Sequence, residues 1–215
     1  MIRLLLRRRG TLGLRRGQVA LREHDSRWAA AYDKESDRIR RLLGEAGVSA
    51  TTEHVGSTAI AEMPAKPIID IAVGVADSDA VGHALVALRN GGLDYIKGAN
   101  QPGMLFLARG GQDRLFHYHL VVEASHAWDR LVLFRDLLRR HPGLAVEYAD
   151  LKRELAERFP DDRGAYTRAK SVQVRAIESR AFAEAQRRAQ ARAIAEAVRR
   201  PSEPWPPLRT TPPRL

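Results

Sequence analysis

The chain has 215 residues, of which 44% are hydrophobic and none is cysteine. This length allows one domain with a sizeable core, and the lack of cysteine excludes disulfides, zinc–thiolate sites and thiol catalysis. We find neither a secretion signal nor a run of about 18 apolar residues that could span a membrane, so we expect a cytoplasmic protein without a membrane partner.

The net charge of +10 lies at the two ends of the chain. Residues 1–17 carry +6, residues 180–215 carry +5, and the remaining residues 18–179 carry −1. We therefore predict a basic N-terminal lead (1–17), one folded domain (18–179), and a basic helical extension with a Pro-rich disordered tail (180–215). Because the central domain has no net positive charge, we do not expect nucleic acid as the primary partner.

The first predicted elements are a helix and a strand. Asp25 or Ser26 can cap the helix, and Gly44 or Gly47 ends it. The alternating pattern of residues 48–55 then predicts a strand.

The segment 67–75 predicts a second strand, and its nearly continuous apolar character is typical of a strand buried on both faces. A second helix follows, with Ser78 as the candidate cap and Gly91 just beyond its end. Short strands come next, and the last two form a predicted hairpin around Gly110 and Gly111.

The remainder of the chain is predicted to be helical, in three segments that begin near Trp128, Leu144 and Tyr166. The order of helix, two strands, helix, several strands and then helices predicts an α+β fold. In this fold a small mixed sheet is covered by helices, and a helical segment follows at the C-terminal end.

The segment from Gly56 to Asp70 has the pattern of a phosphate and metal site. Gly56 allows a sharp turn and a close approach to a ligand, and Ser57 and Thr58 then offer hydroxyls and backbone N–H groups to phosphate oxygens. Asp70, on the following strand, is a candidate ligand for Mg²⁺ bridging to those phosphates. The alternative is that Gly56 only turns the chain and that Asp70 pairs with an arginine.

This outline, a Gly-Ser pair followed about a dozen residues later by a carboxylate on a strand, is that of the nucleotidyltransferase fold. In that fold the carboxylate is usually doubled as Asp-x-Asp, so that both groups share one face of the strand. Here the position of the second carboxylate is occupied by Ala72.

A second polar group lies in the segment "FHYHLVVE", where His117, His119, Val121 and Glu123 alternate on one face. If this strand lies beside Asp70, Glu123 could supply the missing metal ligand. His117 or His119 could then bind a phosphate or act as a catalytic base. The alternative is that these residues form the solvent-exposed face of an edge strand.

Lysines supply the remaining candidates. Lys66 is a candidate phosphate-binding cation or an ordinary exposed lysine, and Lys170, with Ser171, either faces the site or lies in a solvated first helical turn. The chain has no G-x-x-x-x-G-K-[ST] loop and no G-x-G-x-x-G motif, which excludes the corresponding kinases and dinucleotide enzymes.

Three stretches together resemble the GrpB family: "LGLRRGQVAL", "EHVGSTAIAEMPAKPIIDIAVGV" and the run from "HYHLVVEASHAW" to "YTRAKS". The resemblance extends from about Leu12 to about Ile177 and implies a nucleotidyltransferase-like fold. By position, Gly56 and Ser57 match the phosphate-side motif and Asp70 matches the first carboxylate.

Two functions follow as hypotheses. The first is a metal-dependent nucleotidyltransferase, in which Asp70 and Glu123 hold Mg²⁺ and a nucleotidyl group passes from a nucleoside triphosphate to an unknown small acceptor. The second is a catalytically inactive module that binds a nucleotide or another phosphorylated metabolite, and Ala72 favours it.

Overall fold

The computed structural model describes residues 12–199, with side chains described as far as residue 196. The elements are strands β1 (Leu14–Arg15), β2 (Ala50–Val55), β3 (Ile69–Val75), β4 (Asp94–Tyr95), β5 (Met104–Arg109), β6 (Asp113–Arg114) and β7 (Phe116–Val122), and helices α1 (Arg27–Glu45), α2 (Ser78–Asn90), α3 (His126–Arg140), α4 (Pro142–Arg158) and α5 (Arg163–Arg199). The predicted α+β class is confirmed.

The main sheet has five strands in the order β2-β3-β7-β5-β4. Strands β3 and β7 are parallel and the other pairs are antiparallel, so the sheet is mixed. Strand β7 lies at the centre of the sheet. The alternative that its histidines face solvent from an edge strand is therefore wrong.

Helix boundaries follow the sequence signals with two differences. Helix α1 has Ser26 at its N-cap position, as expected. Helix α2 is capped by Asp77, whose carboxylate accepts a hydrogen bond from the Ala80 amide at 2.8 Å, and not by Ser78. Helix α5 begins at Arg163, three residues before the expected start.

One face of the sheet forms the main hydrophobic core. Ile69, Ile71 and Val73 of β3 alternate onto this face and pack with residues of α1 and α2, including Trp28 and Leu88. Each of the three side chains is fully buried. Burial of a branched aliphatic side chain contributes about 1.5–3 kcal/mol, so this face fixes the register of β3 and with it the direction of the intervening side chains.

The opposite face of the sheet carries the polar residues. Asp70 of β3 is paired with His117 of β7, and Ala72 is paired with His119. Because side chains alternate along a strand, these residues point away from the main core. Helix α3 packs over part of this face, where Ala127 meets Met104.

The N-terminal lead is partly structured where it is described. Leu14 is buried, and residues 14–15 pair with β6, so this part of the predicted basic lead packs on the folded domain. Residues 1–11 and the Pro-rich segment lie outside the described residues. The described residues up to Phe182 form one compact unit, and those from Ala183 form a second, which is helical.

Among the described residues, no helix combines the length and apolar character needed to cross a membrane.

Candidate functional site

The polar face of the sheet borders a cavity of about 560 Å³. Helices α3, α4 and α5 supply its other walls, with Phe134, Lys152 and Lys170 as examples. A cavity of this size accommodates a small organic ligand. Most of the residues predicted for the site, namely Gly56, Ser57, Thr58, Lys66, Asp70, His117 and His119, line this cavity.

Asp70 holds two imidazole rings at the floor of the cavity. Its Oδ1 atom lies 3.2 Å from Nδ1 of His117 and 3.2 Å from Nε2 of His119. Burial alone would raise the pKa of Asp70, but the hydrogen bonds and charges of the two imidazoles outweigh it and hold the pKa well below its usual value. Asp70 is therefore anionic, and its partners are histidines rather than the arginine of the alternative interpretation.

The two histidines have different surroundings. His117 is buried, and this burial lowers its pKa even though Asp70 opposes the shift. A neutral His117 donates its Nδ1–H to Asp70. His119 has a buried Nδ1 atom for which no hydrogen-bond partner is present among the described residues.

Gly56 makes room for the Asp70 carboxylate. Its φ of +69° lies in the left-handed region that favours glycine. A Cβ atom at this position would stand 2.8 Å from Oδ2 of Asp70 and 3.1 Å from its Cβ. The glycine is thus required both by its backbone conformation and by the side chain that lies against it.

Ser57 is linked to helix α4 by a buried lysine. The Lys152 ammonium donates hydrogen bonds to Ser57 Oγ at 3.1 Å and to the Pro64 carbonyl oxygen at 2.6 Å. It also lies 4.8 Å from the ring centroid of Tyr148. Only 2% of Lys152 is exposed, so the chain buries a cation beside the hydroxyl expected to contact phosphate.

Further cations line the same cavity. The ammonium groups of Lys66 and Lys170 each lie 5.5 Å from the ring centroid of Tyr166, and Arg163 also lines the wall. Burial and the charges of neighbouring cations lower the pKa of Lys66 to about 7 and that of Lys152 to about 7. These lysines lack sufficient negative charge around them to remain fully protonated at neutral pH.

Acidic groups are few around this cavity. The carboxylates among its described lining residues are Asp70 and Glu178. Asp70 faces the two imidazoles, and Glu178 lies 3.6 Å from the Arg130 guanidinium. The wall therefore carries an excess of positive charge, which favours an anionic ligand.

Thr58 also lines the cavity, but its hydroxyl has a partner within the protein. Its Oγ1 atom lies 3.0 Å from Nε2 of His54, which stacks on Tyr32. This contact uses one hydrogen-bonding position of the hydroxyl, and the phosphate-binding role of Thr58 stays a prediction.

The structure contradicts the expectation that Glu123 joins Asp70 around one metal ion. Strand β7 ends at Val122, and the Glu123 carboxylate accepts a hydrogen bond from Thr51 at 3.0 Å. Glu123 contacts Gly74, four residues beyond Asp70 along β3, which corresponds to roughly 13 Å. The alternating pattern correctly predicted the sheet face on which Glu123 lies. It gives no information on the distance between Glu123 and Asp70.

The residues around Asp70 do not fit the magnesium site outlined from the sequence. Mg²⁺ needs oxygen ligands in an octahedral arrangement, whereas Oδ1 of Asp70 faces two imidazole nitrogens and Ala72 adds no ligand. No group of three His, Asp or Glu side chains in the described part of the chain is arranged to hold a metal. Magnesium dependence stays a prediction.

Lys152 and Tyr148 are among the cavity residues that sequence reasoning missed. Both lie in the charged segment "EYADLKRE" of helix α4, where a lysine reads as a solvated residue. Only the packing of α4 against the segment that follows Gly56 makes Lys152 buried. Helical spacing was the available signal, because Lys152 lies four residues after Tyr148 and three before Leu155, which are both buried, whereas the adjacent Arg153 is exposed.

Comparison with known proteins identifies the family. The sequence profile described as GrpB protein matches residues 18–180. The chain belongs to the GrpB family. Among curated GrpB relatives, the UPF0157 protein YqkA of Bacillus subtilis is 35% identical over 159 residues, which are 74% of this chain and 46% of that protein. The matched region thus spans about half the length of this relative.

A second relative, a UPF0157 protein of Deinococcus radiodurans, is 38% identical over 72% of this chain and 78% of its own length. The crystal structure of GrpB from Enterococcus faecalis superposes with a TM-score of 0.69 at 27% identity, covering 78% of this chain and 99% of that one. The Cid1 poly(U) polymerase with MgGTP bound is similar at a TM-score of 0.46 and 14% identity over 63% of this chain and 44% of its own. That degree of similarity carries no information on activity.

Proposed function

We propose that this GrpB protein binds a phosphorylated small molecule in the cavity above Asp70. The observation that carries the proposal is the excess of cations there: Lys66, Lys152, Arg163 and Lys170 line one cavity, and the carboxylates among its described lining residues are Asp70 and Glu178. A bound phosphate would supply the missing negative charge and favour the protonated lysines.

The turn after β2 supports the same ligand. Ser57 begins a short 3-10 helix, Ser57–Ala59, directly after the left-handed Gly56. The Ser57 hydroxyl is already held by the Lys152 ammonium. A phosphate oxygen placed here would meet a hydroxyl and a cation together, and such charge-assisted hydrogen bonds are the stronger kind.

Isothermal titration of the full chain with sodium tripolyphosphate in EDTA tests this proposal. We expect saturable binding, with an affinity at least tenfold weaker in Lys170→Met and in Lys152→Met. Lys170 is half-buried at the cavity wall, so its variant tests the site even if the Lys152 variant does not fold. The exposed Lys34 of α1 supplies the control, because Lys34→Met removes equal charge outside the cavity. Equal affinity in all four proteins would contradict the proposal.

Nucleotidyl transfer is the second candidate, and the imidazole pair held by Asp70 favours it. In this reaction the acceptor oxygen or nitrogen bonds to the α-phosphorus of a nucleoside triphosphate, and pyrophosphate leaves. The acceptor proton passes to an imidazole, and neutral His117 is suited to take it. Pyrophosphate release with a panel of hydroxyl and amine acceptors tests this candidate. Release that is unchanged in His117→Gln would contradict the assigned base.

A further inference from the structure

We infer that the part of the cavity beside Phe106 is a second subsite, which binds a flat heterocyclic ring carried by the phosphorylated ligand. The ring would pack on Phe106, and its polar edge would meet Gln101 and Arg130. This inference rests on the proposed function, because the phosphate end is what would place the ring.

Phe106 lines the cavity beside the two imidazoles. It belongs to β5, beside the central strand β7, and is paired with His119. Its ring centroid lies 4.9 Å from that of His117 and 5.5 Å from that of His119. Phe106 is only partly buried although it lies within the sheet, so part of its ring is available to a ligand. Aromatic rings favour offset or edge contacts at such distances.

The cavity wall beside Phe106 includes apolar side chains. Met104 lies two residues before Phe106 on β5 and packs with Leu131 of α3, and both line the cavity. A phosphate group would gain nothing from this surface. A second, apolar part of the same ligand would cover this wall and exclude water from it. This burial would stabilise the complex by about 25 cal/mol for each Å² of apolar area.

A polar group borders this wall and argues against a purely aliphatic occupant. Arg130 donates a hydrogen bond to Oε1 of Gln101 and lies 3.6 Å from Glu178. Gln101 is fixed in turn by reciprocal backbone hydrogen bonds with Met104, at 3.1 and 2.9 Å. An alkyl chain would displace water from the remaining N–H groups of Arg130 and Gln101 without replacing its hydrogen bonds. A heterocycle presents donors and acceptors at its edge and could replace them.

Titrations with ATP, GTP, CTP, UTP and tripolyphosphate in EDTA test the subsite, since all five ligands carry a triphosphate group. We expect at least one nucleotide to bind tenfold or more tightly than tripolyphosphate. Phe106→Leu, which keeps an apolar side chain but removes the ring, and Phe106→Ala should reduce this preference to less than threefold. Neither variant should change the affinity for tripolyphosphate. The exposed Val86 of α2 gives a control, and Val86→Ala should retain the preference.

The possible outcomes distinguish the ring subsite from the phosphate site. Equal affinity for tripolyphosphate and all four nucleotides would overturn the ring subsite and leave the phosphate site intact. An equal loss of affinity for every ligand in the Phe106 variants would also overturn it. If none of the five ligands binds, the proposed function itself fails.

Discussion

Gly56 and Asp70 are in contact across neighbouring strands, and a side chain at residue 56 would stand 2.8 Å from the Asp70 carboxylate. This contact connects the turn that is to hold phosphate with the carboxylate that orients the two histidines. The two halves of the candidate site are therefore packed together, and a side chain added at residue 56 should disturb both.

Gly56→Ala should be costly for two reasons. With φ of +69° and ψ of −171°, Gly56 has a backbone conformation that is essentially restricted to glycine and costs a residue with a Cβ atom about 1–3 kcal/mol, and the overlap with Asp70 adds about 1–3 kcal/mol. We expect the free energy of unfolding in urea to fall by about 2–6 kcal/mol.

Gly47→Ala is a control for a positive φ without overlap, because Gly47 has a φ of +73° and no atom within 4 Å of its added Cβ position. It should show only the cost of its own backbone conformation. An equal loss of stability in the two variants would mean that the contact with Asp70 contributes nothing.

Anion binding should depend on pH through the lysines. Lys66 and Lys152 have pKa values of about 7, lowered by burial and by neighbouring cations. Both are charged below this pH and neutral above it, so the affinity for tripolyphosphate should rise as the pH falls from about 9 to about 6. A ligand that raises one lysine pKa by one unit gains about tenfold in affinity from that lysine.

The comparison of Lys152→Met with the wild type over this range gives the control. Removal of one titrating lysine should reduce the pH dependence of the dissociation constant. A dissociation constant that does not vary between these pH values would show that neither lysine contacts the ligand.

The opposite sheet face contains a buried ion cluster that should support stability rather than binding. Glu35 of α1 is 3% exposed and accepts hydrogen bonds from Arg38, Arg109 and Tyr118 at 2.5–2.9 Å. Glu35→Gln removes the negative charge and leaves two arginines without their partner. We expect a loss of about 2–3 kcal/mol in the free energy of unfolding, somewhat below the range for fully buried pairs because both arginines are partly exposed.

Asp37 lies on the same helix and forms an exposed pair with Arg40. Asp37→Asn should change the free energy of unfolding by less than about 0.5 kcal/mol. Similar urea midpoints for Glu35→Gln and Asp37→Asn would contradict the assignment of Glu35 to a stabilising cluster.

The fold was predictable where a short pattern determines it. The apolar run through Asp70 specifies β3, and the alternation around His117 and His119 correctly separates a polar face from an apolar one. The choice between Asp77 and Ser78 as a helix cap was not predictable, since both side chains are suited to capping and only the backbone conformation at each position decides.

The site was less predictable because its chemistry depends on tertiary distance. Glu123 shares the pattern of His119, yet it lies beyond the end of β7 and away from Asp70. In the sequence, Lys152 is one of several charged residues on a predicted helix. It is buried because α4 packs against the segment around Ser57, which lies 95 residues earlier in the chain. The net charge of the central domain, −1, conceals the cations gathered around one cavity.

The central claim is that side-chain cations, and not a metal held by Asp70, bind the ligand's phosphates. Titration of wild type and Asp70→Asn with tripolyphosphate, each with excess EDTA and with excess Mg²⁺, tests it most directly. We predict that binding persists in EDTA and is as strong or stronger in Asp70→Asn, because the variant removes a negative charge from a cationic cavity. Binding that requires Mg²⁺ and disappears in Asp70→Asn would contradict the claim.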